Sequence, residues 1–523
     1  VTARISQKLA VLEWEKLMLY PAHIPVREIR IQPSLKVPAG WGVGTALTPL
    51  GNGSYPVPAA GSTTQFMATN VEQLEDSPVI TGQNFHEFAL APTITPKHFI
   101  DVVSDYPEDS NLRPALLAEL GNLVREADAL YRSHHYNVYH LLLTLSDVAG
   151  GEGLEHGQSS NNGVGEKGFA DDAHQLREAD LLPHEFTHSW NGKYRRPAGL
   201  YQPDFATAQQ GALLWVYEGM TQYLGTVLAA RSGLETQEQY RDKLAQTAAL
   251  LDCTPGREWR STTDSAVAAS ILRDNNPAWA NWRRGQDYYQ EGLLLWLDAD
   301  TLIRKLTDNK KSLDDFERIF VGKGGNTGPM IVPYQFDELV EDLNAVVPYD
   351  WATFLHDRVD KINVHADVGG IERGGYRLVY KDKPSATDRT LAAVPSRRGG
   401  GSDYWFSIGV RVGSDGTIGD VRWNGPADKS QLAPGEKIMA VDGQIYSGDV
   451  LKAAIRKAKG STEAIHLIVQ ADSFVHMAEI DYHDGERYPA LERVDGTPDM
   501  LDDITKPLTT PEKAEGKTGN GGE

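Results

Sequence analysis

The stretch Leu182-Pro183-His184-Glu185-Phe186-Thr187-His188-Ser189-Trp190-Asn191 decides the reading of this chain. On a helix, positions four apart lie one above the other on one face, so the imidazoles of His184 and His188 can reach one metal ion. Glu185 stands about 100° round the helix, near enough to meet a water on that ion without being a ligand. The spacing predicts a helix over residues 181–191. Asp180 offers an N-cap, Pro183 falls in the first turn where a missing N–H does no harm, and Asn191-Gly192 offers a stop.

Catalytic zinc usually takes three protein ligands and a water. The third candidate is Glu218, inside Leu214-Trp215-Val216-Tyr217-Glu218-Gly219-Met220-Thr221. A charged residue in an otherwise apolar helix is costly unless it is paired or bound to metal. Two histidines and a glutamate, with Glu185 as base, make a zinc hydrolase with one Zn²⁺ per chain. Histidines at 134, 135, 140, 156 and 174 show no second metal spacing, although His156 lies where it could touch substrate.

Working outward, the chain has 523 residues and 51 Lys+Arg against 72 Asp+Glu, a formal net charge of −21. That length calls for roughly three or four folding units. The acidic excess argues against a nucleic-acid partner, which would require phosphates to be neutralised. No apolar run reaches the roughly 20 residues of a membrane span, since the best stretch, 212–230, is broken by Glu218 and Gln222. A single cysteine, Cys253, excludes an intramolecular disulfide framework and a Cys-rich zinc site. The chain starts with Val1 rather than Met, so a longer N-terminal segment or signal peptide is expected ahead of it. A periplasmic or secreted location is favoured over the cytoplasm.

The expected fold class is multidomain α+β. Residues 1–92 read as a β-rich domain, punctuated by Pro and Gly. Residues 93–365 carry the metal motif and helical periods at 112–131, 211–231 and 289–306, with weaker ones at 312–320 and 336–346. Residues 136–145 read as a buried strand, 149–168 as loop at least in part, and 254–285 as long loops around a cleft. Strands return over 366–401, with a linker from Pro384 to Gly401. A compact β module follows at 402–472, then a segment at 473–504 that returns to the body. The polar residues 505–523 are expected to be disordered.

The paired segments around His184 and Glu218 resemble the glycyl aminopeptidase family of zinc metallopeptidases, relatives of the aminopeptidase N and leukotriene hydrolase group. The resemblance implies a β N-terminal domain, here begun partway, and a thermolysin-like, mainly α catalytic domain. It also implies removal of small N-terminal residues, Gly and then Ala, from peptides with a free N-terminus. Gly153-Leu154-Glu155-His156 is similar to the loop whose glutamate binds the substrate's α-amino group, with Glu152 a competitor for that role. Tyr289-Gln290-Glu291-Gly292 is similar to the Tyr-x-x-Gly segment whose tyrosine donates to the oxyanion. Tyr288 is adjacent, and aligning the glycine favours Tyr289.

Tyr404-Trp405-Phe406-Ser407-Ile408-Gly409-Val410, then Leu432-Ala433-Pro434-Gly435-Glu436-Lys437-Ile438, resemble a PDZ domain. This implies a carboxylate-binding loop at Ile408-Gly409-Val410, a groove walled by a helix over 449–459, and a peptide C-terminus as partner. A module that only packs on the catalytic domain is the alternative. For the whole chain the competing functions are a zinc endopeptidase, an epoxide hydrolase on the same scaffold, and an inactive PDZ-like scaffold.

Overall fold

Val138–Leu145 is apolar without alternation and almost wholly buried, as a strand covered on both faces must be. In the computed structural model, which describes residues 4–51, 63–272, 279–394 and 401–512, it is the centre of a five-stranded sheet. The chain divides into two compact units, one of residues 1–237, 306–349 and 502–523, the other of residues 238–305 and 350–501.

In the first unit, β1 (Leu9–Leu12), β2 (Gly42–Gly44) and β3 (Val79–Gly82) form a small sheet in the order β1-β3-β2. The larger sheet holds β4 (Asn84–Leu90), β5 (Lys97–Ser104), β6 (Val138–Leu145), β7 (Glu152–Glu155) and β8 (Ser159–Val164). Its order is β7-β8-β6-β5-β4, with β6 parallel to both β5 and β8. Helix α1 (Pro114–Tyr131) buries Leu116, Leu120, Leu123 and Val124, as its period predicts. Beyond it come α2 (Leu181–Thr187), α3 (Leu214–Tyr217) and α4 (Gly219–Ser232), the last closed by Gly233 at φ +91. The helices expected near 312–320 and 336–346 are present as Leu313–Phe320 and Phe336–Val346.

Two expectations for this unit need correction, and a third is refined. A boundary at residue 92 would cut between β4 and β5, which pair antiparallel from Asn84↔Ser104 to Leu90↔His98. Leu9 and Ile80 also share a core with Val103 and Leu142, so the β-rich start and the central sheet are one body. The Gly/Ser/Asn-rich stretch 149–168 is loop only in part: its turns flank and join the antiparallel pair β7–β8, whose ladder hydrogen bonds override the loop-like composition. The tail expected from 505 is held as far as 512. The backbone N–H groups of Leu508 and Thr509 each donate to the Glu126 carboxylate at 2.8 Å, and Glu512 N–H donates to Asn122 Oδ1 at 2.8 Å. Residues 513–523 lie outside the described residues.

The second unit contains α5 (Tyr288–Leu306), and β9 (Tyr376–Lys381) paired antiparallel with β17 (Tyr488–Arg493). Between these two strands lies the C-terminal module. Strands β10 (Gly401–Asp403), β11 (Val410–Gly413) and β12 (Ile418–Val421) form one sheet in that order. Strands β13 (Lys437–Val441), β14 (Gln444–Ile445), β15 (Ile465–Ala471) and β16 (Phe474–Ile480) form another in the order β14-β13-β15-β16, with α6 (Gly448–Ala458) beside them. The boundary at 472 is therefore wrong: β16 pairs with β15 along its whole length, and Ala478 and Ile480 lie in the module's core.

The linker expected over 384–401 is also partly a helix, Ala386–Ala393, started by a capping box between Ser385 and Asp388. Residues 395–400 lie outside the described residues. The long loops expected at 254–285 are instead broken into short helical turns, among them Thr262–Val267 and Ala280–Arg283, with 273–278 not described.

Candidate active site

Helix α2 is short, and its first turn lacks the expected cap: Asp180 makes no side-chain cap bond and instead accepts from Gln222 Nε2 at 3.0 Å. Phe186 anchors the buried side of the helix against Tyr139 and Trp190, with ring centroids 4.6 and 5.0 Å apart. After His188 the chain winds more loosely. Lys193, Tyr194 and Arg195 N–H groups donate to carbonyls five residues back, a π-type pattern. That turn brings the Asn191 carbonyl to 2.9 Å from His188 Nδ1. A proton held on Nδ1 leaves the Nε2 lone pair for a metal.

The stretch expected as one helix over 211–231 divides into α3 and α4 at Glu218 itself. Asn191 Nδ2 fixes this junction to α2 by donating to Val216 O at 2.8 Å and to Thr221 Oγ1 at 2.9 Å. Helices α2 and α4 meet at Gly225, where a Cβ would stand 2.9 Å from His184 Cα. This close approach sets Glu218 Oε2 at 3.1 Å from His188 Nε2 and 3.5 Å from His184 Nε2. The two Nε2 atoms are 3.1 Å apart.

These three atoms fit a metal. Two imidazole nitrogens and one carboxylate oxygen converge within 4.8 Å of one another, all from buried or nearly buried residues. The set matches the His₂Glu ligands of catalytic zinc sites. Burial disfavours the charged form of Glu218, but His188 and His184 outweigh it and hold the carboxyl well below its ordinary range.

Glu185 is buried beside this set and grouped with Glu155 and His188. Burial, opposed by His184 and reinforced by Glu155, Glu218 and Glu152, pushes its carboxyl up to about 8. A carboxylate tuned toward neutrality is suited to general base work. Gly153 lies directly over it, since a Cβ there would stand 2.1 Å from Glu185 Oε1.

Strand β7 separates the two candidate amine-binding glutamates. Glu155 is grouped with Glu185 and His188, and Tyr217 Oη donates to its Oε1. Burial opposes ionisation of Glu155, yet His188 and Lys193 outweigh it and lower its pKa. Glu152, three residues away and so on the other face of the strand, pairs with Arg4.

Tyr217 is a site residue for which sequence reasoning found no role. Its neighbour Glu218 was the only signal. Asp76 was missed altogether. It takes Lys193 Nζ at 2.9 Å, His156 Nδ1 at 3.4 Å and Gly157 N–H at 2.7 Å, tying the β7–β8 turn to the chain after α2. His156 is buried, with its ring turned to Asp76. Tyr289 belongs to the second unit, at the start of α5. There it is half-buried, whereas Tyr288, stacked on it at 5.1 Å, is buried.

Residues 177–295 match the M61 glycyl aminopeptidase family, and residues 1–83 match the peptidase M61 N-terminal domain. The chain is similar to M61 peptidases. Its fold resembles the crystal structure of an aminopeptidase N family protein from Idiomarina loihiensis, with a TM-score of 0.73 at 19% identity over 97% of this chain and 84% of that one. A variant of an M1 zinc metallopeptidase from Deinococcus radiodurans matches at a TM-score of 0.40 and 15% identity, over 64% of this chain and 65% of that one. A comparison with curated proteins finds no match. Together the M61 matches support a metallo-aminopeptidase. Among the described residues, no helix is long and apolar enough to cross a membrane.

Proposed function

We propose that this chain is a zinc-dependent aminopeptidase that removes small N-terminal residues, glycine and then alanine, from peptides. The observation that carries the reading is the grouping of Glu155 and Glu185 with His188, a member of the His184, His188 and Glu218 donor set. Bound there, zinc would supply an acidified water and a polarised carbonyl. Glu185 accepts the proton and returns it to the leaving amine. Glu155, oriented by the Tyr217 hydroxyl, meets the substrate's α-ammonium, a cation that an internal peptide bond lacks. The resemblance assigns the oxyanion contact to Tyr289.

The C-terminal module is part of the same proposal, read as PDZ-like. Strand β11, to which a peptide would add, is already paired with β10 on one edge and β12 on the other. A peptide C-terminus therefore docks there only by displacing β10.

The testing experiment pairs metal content with cleavage of Gly- and Ala-p-nitroanilide against an N-acetylated peptide. Equal cleavage of the N-acetylated peptide would make the enzyme an endopeptidase. Epoxide opening without amide hydrolysis would make it an epoxide hydrolase, and full metal with no turnover would leave only a scaffold.

Two variants sharpen the test. Glu218→Ala should lose the metal, and full occupancy in that variant would remove Glu218 from the ligand set. Glu155→Gln should keep the metal but lower kcat/KM by about 10–150-fold, the cost of one charge-assisted contact. Glu152→Gln should do neither, since its partner is Arg4.

A further inference from the structure

The face of the large sheet turned toward β2 carries a second set of metal-ligating side chains. Glu87 on β4 lies directly opposite Asp101 on β5. His140 on β6 lies opposite Phe99, two residues from Asp101, so its ring falls on the same face. One donor atom from each of the three lies within 4.8 Å of the others, and His140 Nδ1 is 2.8 Å from Asp101 Oδ2. Asp101 and His140 are fully buried, whereas Glu87 is exposed and opens the cluster to solvent.

Two observations ask for an occupant. Asp101 Oδ1 is buried and receives no hydrogen bond. Two carboxylates placed directly opposite each other on one sheet face repel unless a cation or a proton lies between them. Above Asp101 runs β2, packed so closely that a Cβ on Gly44 would stand 2.8 Å from Asp101 Oδ2, which covers the carboxyl on that side. Further polar atoms on the same face lack partners as well. Ser159 Oγ, opposite His140, is buried without a hydrogen bond. Buried polar groups in native proteins are nearly always satisfied, so this row of atoms calls for a partner.

We propose that Glu87, Asp101 and His140 form a second divalent-cation site. An imidazole with two carboxylates is the donor chemistry of zinc or manganese rather than of calcium or magnesium, which prefer oxygen alone. Asp101 lies under Gly44 of β2, and Glu87 faces solvent at the other end of the cluster. A cation there would tie β4, β5 and β6 together through their side chains. No sequence spacing announces this set, because the three ligands come from three different strands.

The test does not depend on the peptidase reading. The full chain is stripped of metal with a chelator and titrated with Zn²⁺ and separately with Mn²⁺, with bound metal counted by elemental analysis and thermal stability followed. Two equivalents are expected in the wild type and one in Glu218→Ala. Glu87→Gln, an exposed change outside the active site, should weaken the second equivalent at least about 10-fold and keep the first. It should also remove the metal-dependent rise in melting temperature that Glu218→Ala retains, while Gly-p-nitroanilide turnover stays unchanged. A single equivalent in the wild type would mean that a proton, not a metal, bridges Glu87 and Asp101, and the proposal would fall. It would fall equally if the second equivalent bound Glu87→Gln as tightly as the wild type.

Discussion

Glu185→Gln should bind as much metal as the wild type and turn over Gly-p-nitroanilide about 100–10,000-fold more slowly, the range that a positioned base contributes. Glutamine keeps the volume and one oxygen of the side chain but cannot accept the proton. The fold has no need of the carboxylate charge here, because burial and the neighbouring carboxylates already oppose it. Metal retention is expected because the three donors nearest one another are His184, His188 and Glu218, and each is held from behind by protein. Asn191 fixes both the His188 ring and the α3–α4 junction, and close packing at Gly225 fixes His184. Elemental analysis and kcat, measured on one preparation, decide the matter. Metal lost together with activity would make Glu185 a ligand, and activity retained would place the base elsewhere.

The parts of this site that could be read from the chain alone are those that one helix encodes. His184, Glu185 and His188 are related by helical spacing, and Glu218 stands out as a charge in an apolar segment. Their convergence at 3.1–3.5 Å follows from that geometry. The rest of the site depends on strands that composition concealed. Ser159-Ser160-Asn161-Asn162-Gly163 has the residue types of a loop, yet it is a buried strand, because β6 on one side and β7 on the other satisfy its backbone. With that strand unrecognised, the alternation along β7 could not be used. It is the alternation that sends Glu155 toward His188 and Glu152 toward Arg4. Domain limits failed for the same reason. Pairing of β4 with β5 and of β15 with β16 joins segments that Pro, Gly and charge patterns appear to separate. The contact of Tyr217 with Glu155 joins residues distant in sequence, and no local pattern announces it.

Gly153→Ala should leave the protein folded and metal-loaded but slow its turnover by about 100-fold, a loss typical of a 1 Å misplacement at a reacting centre. The added methyl would stand 2.1 Å from Glu185 Oε1 and 2.9 Å from Leu181 Cδ1, closer than atoms can approach. Both are ends of flexible side chains, so relief comes from moving them rather than the backbone, and stability changes little. Glu185 is the one that must swing away, which moves the proton acceptor while the ligands stay where α2 and α4 hold them. The change should therefore mimic Glu185→Gln in kcat without changing metal content. Because Gly153 and Glu155 share a face of β7, a second result separates displacement of the base from loss of amine binding. KM for Gly-p-nitroanilide should rise little if only Glu185 has moved, whereas damage to the Glu155 contact would raise it. Unchanged kcat in Gly153→Ala would show that Glu185 works from a position the methyl does not reach, and the placement of the base against β7 would have to be abandoned.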